Sequence, residues 1–98
     1  MTEIRLFVQE GCRPCMYAET QLKKVEGWED VVTITNAKVN GVWSDYARDC
    51  GIDVTPTLVA LIDGVIVAKM VGSKQMTSEF WQNTINKHKA NVNTQLAT

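Results

Sequence analysis

The chain has 98 residues, 45% of them hydrophobic and 21% charged, with a formal net charge of −1. That is the make-up of a single globular domain, large enough to bury a core without a metal or disulfide staple. Its lysines and arginines are scattered, which gives no electrostatic case for nucleic acid or an anionic membrane, and no apolar run is long enough to cross a bilayer.

The opening "MTEIRLFVQE" lacks the basic region, apolar segment and small-residue cleavage site of a secretory signal, so a cytoplasmic home is expected. Thiols are kept reduced there, and a disulfide is more often catalytic than structural. The three cysteines cannot all pair, which argues against a disulfide framework.

Ile4 to Val8, "IRLFV", is an apolar run broken only by Arg5 and reads as a strand buried on both faces. Glu10 and Gly11 end it. A helix is predicted from Arg13 to Glu26, because Cys15, Ala18, Leu22 and Val25 recur at three- and four-residue steps, and Gly27 stops it. "VVTITNAKV", Val31 to Val39, is rich in β-branched residues and reads as a second strand. Val42, Trp43, Tyr46, Ala47 and Cys50 mark one side of a short helix that ends at Gly51.

Two apolar runs, Leu58 to Ile62 and Val65 to Val71, flank Asp63-Gly64, a pair suited to positive φ at both positions. They read as an antiparallel hairpin. Ser73 is the expected N-cap of a last helix over Lys74 to Lys89, with Phe80, Trp81 and Ile85 toward the sheet. The polar tail, residues 90–98, is expected to fray. The order is β-α-β-α-β-β-α: an α/β domain with a mixed four-stranded sheet and helices on both faces. The first two strands, joined through a helix, should be parallel.

Sites in open α/β sheets lie at the carboxyl ends of strands, and Cys12 falls there, at the start of the first helix. The nucleophile in thiol chemistry is the thiolate. A helix start offers unpaired N–H groups and the positive end of the macrodipole, both of which favour that form. Arg13 adds a cation, and Pro14 fits the first turn, where a missing N–H costs nothing. Glu10 opposes them. A thiol near its ordinary pKa of about 8.5 is only a few per cent ionised at neutral pH, whereas one brought to about 7 is roughly half ionised. Residues three apart share a helix face, so Cys15 lies one turn in, on the apolar side. That division suits exchange: Cys12 attacks a substrate disulfide and Cys15 resolves the mixed disulfide.

At this point the chain resembles the thioredoxin family, with glutaredoxin features. "LFVQEGCRPCMYAETQLKKV" is similar to both, and "GIDVTPTLVALIDGVIVAKMVGSK" follows the thioredoxin pattern of Gly-Ile, Pro-Thr, apolar strand, Gly-containing hairpin and Val-Gly. The resemblance implies a thioredoxin-like fold and a redox-active disulfide between Cys12 and Cys15, with no bound cofactor or metal. It also implies a cis Thr55–Pro56 bond against the cysteine pair. Thr55 would then be free to pair with an extended substrate segment, and Gly11 and Gly72 would complete the substrate surface. Lys38 falls where thioredoxins often carry a lysine under the site. The implied partners of an expected monomer are disulfide-containing proteins as substrates. Electrons would come from NADPH through thioredoxin reductase, or alternatively from glutathione.

Four positions depart from the thioredoxin pattern. Gly11 replaces the tryptophan before the first cysteine, and Arg13-Pro14 replaces Gly-Pro. Leu6 stands where thioredoxins carry a buried acid, and Thr20 where they carry a helix-kinking proline. The glutathione alternative needs Gly-Gly and acidic residues after the hairpin. Here the stretch is "VGSKQM", with one glycine and with Lys74 of the wrong sign. Two other readings stand beside these. Cys12, Cys15, Cys50 and His88 would formally complete a structural zinc site. The fold also serves non-catalytic partner subunits. Cys50, at the end of an apolar stripe, reads as an inert thiol.

Overall fold

The computed structural model describes residues 2–96, with side chains described as far as residue 89. Its elements are β1 (Thr2–Val8), α1 (Arg13–Leu22), β2 (Val32–Asn36), β3 (Lys38–Val39), β4 (Val42–Trp43), α2 (Asp45–Asp49), β5 (Thr57–Ile62), β6 (Val65–Val71) and α3 (Ser78–Leu96). Four strands form one sheet in the order β2-β1-β5-β6. β1 runs parallel to β2 and antiparallel to β5, and β5 and β6 form the hairpin. The fold is thus the mixed four-stranded sheet expected from the sequence.

Because β1 is central, its alternating side chains feed two layers. Ile4, Leu6 and Val8 join Cys15, Ala18 and Leu22 of α1 and Trp81 and Ile85 of α3 in the larger core. Phe7 joins Ala47 of α2, with Val59 and Leu61 of β5, in the smaller one. This double burial is why the strand reads as an almost unbroken apolar run. The Trp81 indole N–H donates to the Ala18 carbonyl at 3.1 Å, so the largest buried side chain has its polar atom satisfied by the neighbouring helix.

Several boundaries differ from those predicted. α1 stops at Leu22 rather than Glu26: the Lys24 and Val25 N–H groups bond three residues back, to Gln21 and Leu22, and a 3-10 turn follows at Trp28–Asp30. Val25 is still buried, because a three-residue step suits a tight turn as well as a helix. The second strand is not continuous to Val39. After Ala37, whose N–H still donates to the Val8 carbonyl at 2.7 Å, the chain leaves β1, and Lys38–Val39 pairs instead with Val42–Trp43. Asn40 and Gly41 form the turn between them, at φ 53° and 78°. Asn-Gly supplies positive φ at both central positions, as a two-residue hairpin requires. The helix predicted from Val42 therefore begins only at Asp45, where the Ser44 hydroxyl accepts from the Ala47 N–H at 3.1 Å.

α3 starts later than predicted. Ser73 begins a turn closed by the Met76 N–H, and Met76 is buried. The cap is Thr77, whose Oγ1 accepts from Phe80 N–H at 3.1 Å, and Gln21 Oε1 of α1 takes the Ser78 N–H at 3.0 Å. The backbone is helical to Leu96, through most of the stretch expected to fray; residues 97 and 98 lie outside the described residues. Among the described residues no helix is long and apolar enough to cross a membrane.

Candidate redox site

β1 ends at Val8, and the chain turns through Gly11, at φ 74°, to bring Cys12 to the N-cap of α1. Cys12 adopts an extended conformation there, and Pro14 follows in the first turn. The Cys12 sulfur accepts the Cys15 N–H at 3.2 Å, filling the capping role usually taken by a side-chain oxygen. Cys12 and Cys15 are joined as a disulfide, with their Cα atoms 5.2 Å apart. Cys12 is half-buried, whereas Cys15 is 1% exposed within the α1–α3 core. One sulfur is reachable and its partner is not. Arg13 and Pro14 are both exposed beside them.

The segment before β5 completes the site from the other side. The Thr55–Pro56 peptide bond is cis, and Pro56 is buried. Thr55 meets the Cys12 sulfur twice: its hydroxyl lies 3.5 Å away as a donor, and its carbonyl oxygen 3.7 Å away. The Thr57 hydroxyl donates to the Val54 carbonyl at 2.8 Å, and the Gly72 N–H donates to the Pro56 carbonyl at 2.8 Å. The end of β6 is thereby tied to the same loop. A Cβ added at Gly11 or Gly72 would meet nothing within 4 Å, so the surface flanking the pair is open at both points. The structure thus brings Cys12, Cys15, Thr55 and Pro56 together, and Gly72 is tied to them through the Pro56 carbonyl.

Lys38 is placed differently. Its amine sits 4.7 Å from the centre of the Trp43 ring, a cation–π contact within the small hairpin. It also lines a polar hollow of about 390 Å³ with Gln9, Glu10, Gly11, Asn40 and Gly41. Leu6 is fully buried in the larger core, so β1 supplies apolar surface where a thioredoxin carries an acid. The four formal zinc ligands are not gathered: Cys50 packs into the α2 layer, across the sheet from Cys15. Among the described residues no three of His, Cys, Asp or Glu stand together to hold a metal.

One participant went unread in the sequence. The Gln9 side-chain N–H donates to Thr55 Oγ1 at 2.8 Å. The available signal was a polar side chain directly after a buried strand and just before the cysteine turn.

No family model matches the chain, and no curated protein matches it in sequence. Solved structures do match. A thioredoxin from Aeropyrum pernix superposes with a TM-score of 0.65 at 20% identity, over 88% of this chain and 73% of that one. A thioredoxin-2 described as a component of the malaria parasite's protein secretion machinery gives 0.68 at 18% identity, over 90% and 84%. The Malassezia sympodialis thioredoxin gives 0.64 at 24% identity, over 89% and 74%. At such identities the likeness is one of fold: the chain has the thioredoxin fold, and it carries a Cys-x-x-Cys disulfide at the start of its first helix.

Proposed function

We propose that this chain is a thiol–disulfide oxidoreductase that reduces protein disulfides through Cys12 and Cys15. The observation that carries the reading is the asymmetry of the pair. The reachable sulfur sits at a helix start with two donors aimed at it, and the shielded one lies a turn behind. In the reduced protein the Cys12 thiolate attacks one sulfur of a substrate disulfide and expels the other as a thiolate, which takes a proton from water. Cys15 then loses its proton and attacks Cys12 Sγ. The second substrate thiolate leaves, and the Cys12–Cys15 bond closes. Two electrons have passed from the dithiol to the substrate, and the protein is left in the disulfide form of this structure.

Arg13 and the helix terminus favour the attacking thiolate. An extended substrate segment lies along the open surface between Gly11 and Gly72 and pairs with the backbone at Thr55, beside Pro56. Electrons return from NADPH through a thioredoxin reductase. The glutathione alternative lacks the acidic residues that would hold the tripeptide's amino group, since Lys74 occupies that stretch.

The test is a protein-disulfide reduction assay run twice, once with NADPH and thioredoxin reductase and once with glutathione and its reductase. Turnover in the first is expected, and turnover only in the second reverses the choice of donor. Cys12→Ser should abolish turnover in either. Cys15→Ser should accumulate the mixed disulfide with substrate. A Cys12→Ser variant as active as the parent would end the assignment of Cys12 as nucleophile.

A further inference from the structure

Gln9 has no part in the exchange chemistry, yet its side chain reaches the site. Its N–H donates to Thr55 Oγ1 at 2.8 Å, and the Thr55 hydroxyl lies 3.5 Å from Cys12 Sγ. A threonine hydroxyl has one proton and two lone pairs. With one lone pair held by Gln9, the hydroxyl is oriented so that its single proton can point at the sulfur.

We propose that Gln9 is a positioning residue for the reduced dithiol: it holds the Thr55 hydroxyl as a hydrogen-bond donor to the Cys12 sulfur and so favours the thiolate. The inference rests on the dithiol reading above. A sulfur within a disulfide is a weak acceptor, whereas a thiolate forms a charge-assisted bond. The donor therefore acts on the reduced, ionised state and leaves the disulfide almost untouched. The Thr55 carbonyl, 3.7 Å from the same sulfur, favours the protonated thiol instead, so the hydroxyl's orientation decides which way this residue tips the balance. Glu10 and Arg13 flank Cys12 on its own segment, and Lys38 lies across the hollow. Asp53 precedes Thr55, and Lys74 follows Gly72. All five charges stay in place when Gln9 or Thr55 is changed.

The experiment measures the Cys12 pKa of the reduced protein, from thiolate absorbance and from the pH dependence of alkylation. It also measures the reduction potential against glutathione buffers across pH. Thr55→Val is expected to raise the Cys12 pKa by about one unit, a tenfold loss of ionisation, and Gln9→Met by about half a unit. Because the reduced form loses stabilisation, the potential should become more negative. A threefold change in the exchange constant from Gln9→Met corresponds to about 15 mV. The difference from the parent should be full above the variant's pKa and should fade below the parent's, where both thiols are protonated. A role confined to packing would not follow that profile. Thr55→Ser keeps the hydroxyl and should restore the parent value. Gln9→Met in the Thr55→Val background should do nothing further. Equal shifts in both backgrounds overturn the proposal, as does an unchanged pKa in Gln9→Met when the parent reduces disulfides. A parent protein that reduces no disulfide and has no low-pKa thiol overturns this inference and the dithiol reading together.

Discussion

Ile4, Leu6 and Val8 point from β1 into the layer of α1 and α3, whereas Arg5 and Phe7 point from the same strand toward α2. The first side is closed and apolar. Leu6, Leu22 and Trp81 have no exposed surface, and the Trp81 indole N–H bonds a helix carbonyl. The second side is thinner and mixed. Arg5 donates to Thr35 Oγ1 and to Glu3 Oε1, each at 2.8 Å, and lies 5.1 Å from the centre of the Tyr46 ring. Tyr46 in turn sits 5.8 Å from the Phe7 ring, and Cys50 is half-buried nearby. The dithiol belongs to the closed side. An apolar bed beneath Cys15 keeps water from its sulfur, and the few polar groups that reach Cys12 then count for more, because little else competes with them.

Truncating each side puts that contrast at risk. The largest effect is expected from Trp81→Ala, which empties the centre of the closed core and removes the bond to Ala18, three residues beyond Cys15. Large-to-small changes at fully buried aromatic positions cost about 3–5 kcal/mol, read as a fall in urea midpoint at unchanged m. Tyr46→Ala on the other side loses a tilted ring pair and an exposed cation–π contact, and should cost about 1–2 kcal/mol. Equal losses from the two substitutions would erase the distinction between the faces. Smaller still is Cys50→Ser, expected within about 1 kcal/mol of the parent, with disulfide reduction unchanged. A loss of turnover there would draw the third cysteine into the chemistry.

The legible parts of the fold were those in which one local signal had one structural meaning. Asp63-Gly64 between two apolar runs became the β5–β6 hairpin, and the run at Ile4–Val8 became the central strand. The misread parts were those in which a period had two meanings. Val42 and Trp43 fall in step with Tyr46 and Ala47 and so extended the apparent helix, although Asn40-Gly41 before them carries a hairpin turn. Ser73 and Thr77 are both plausible caps, and the choice is made by Gln21 from α1, a contact between residues 57 positions apart. The site divides in the same way. The cysteine spacing and Thr55-Pro56 are local patterns and could be read. The bond from Gln9 to Thr55 spans 46 positions and exists only once β1 and the loop before β5 are side by side.

The smallest expected effect concerns the pH response of the α2 side. The Tyr46 phenol is held above its ordinary pKa, first because burial disfavours the phenolate. The Arg5 guanidinium opposes this, and Cys50 and Glu3 add to it. Arg5 itself is held more firmly protonated: burial works against its charge, but the bond to Glu3 and the neighbouring Tyr46 outweigh that. It therefore stays a cation throughout the range in which Tyr46 titrates. An unfolded tyrosine ionises near pH 10, before the folded one, so over that interval the folded state holds more protons and stability falls as pH rises. The contribution is complete below the unfolded value and is lost as pH passes the folded one. In a Tyr17→Phe background the tyrosinate absorbance should report a midpoint above the ordinary phenol value. Adding Arg5→Met should move it further up, because the cation that favours the phenolate is gone. A downward move would mean that Arg5 acts on Tyr46 mainly by covering it from water rather than through its charge. The α2 side would then be a packed face like the other.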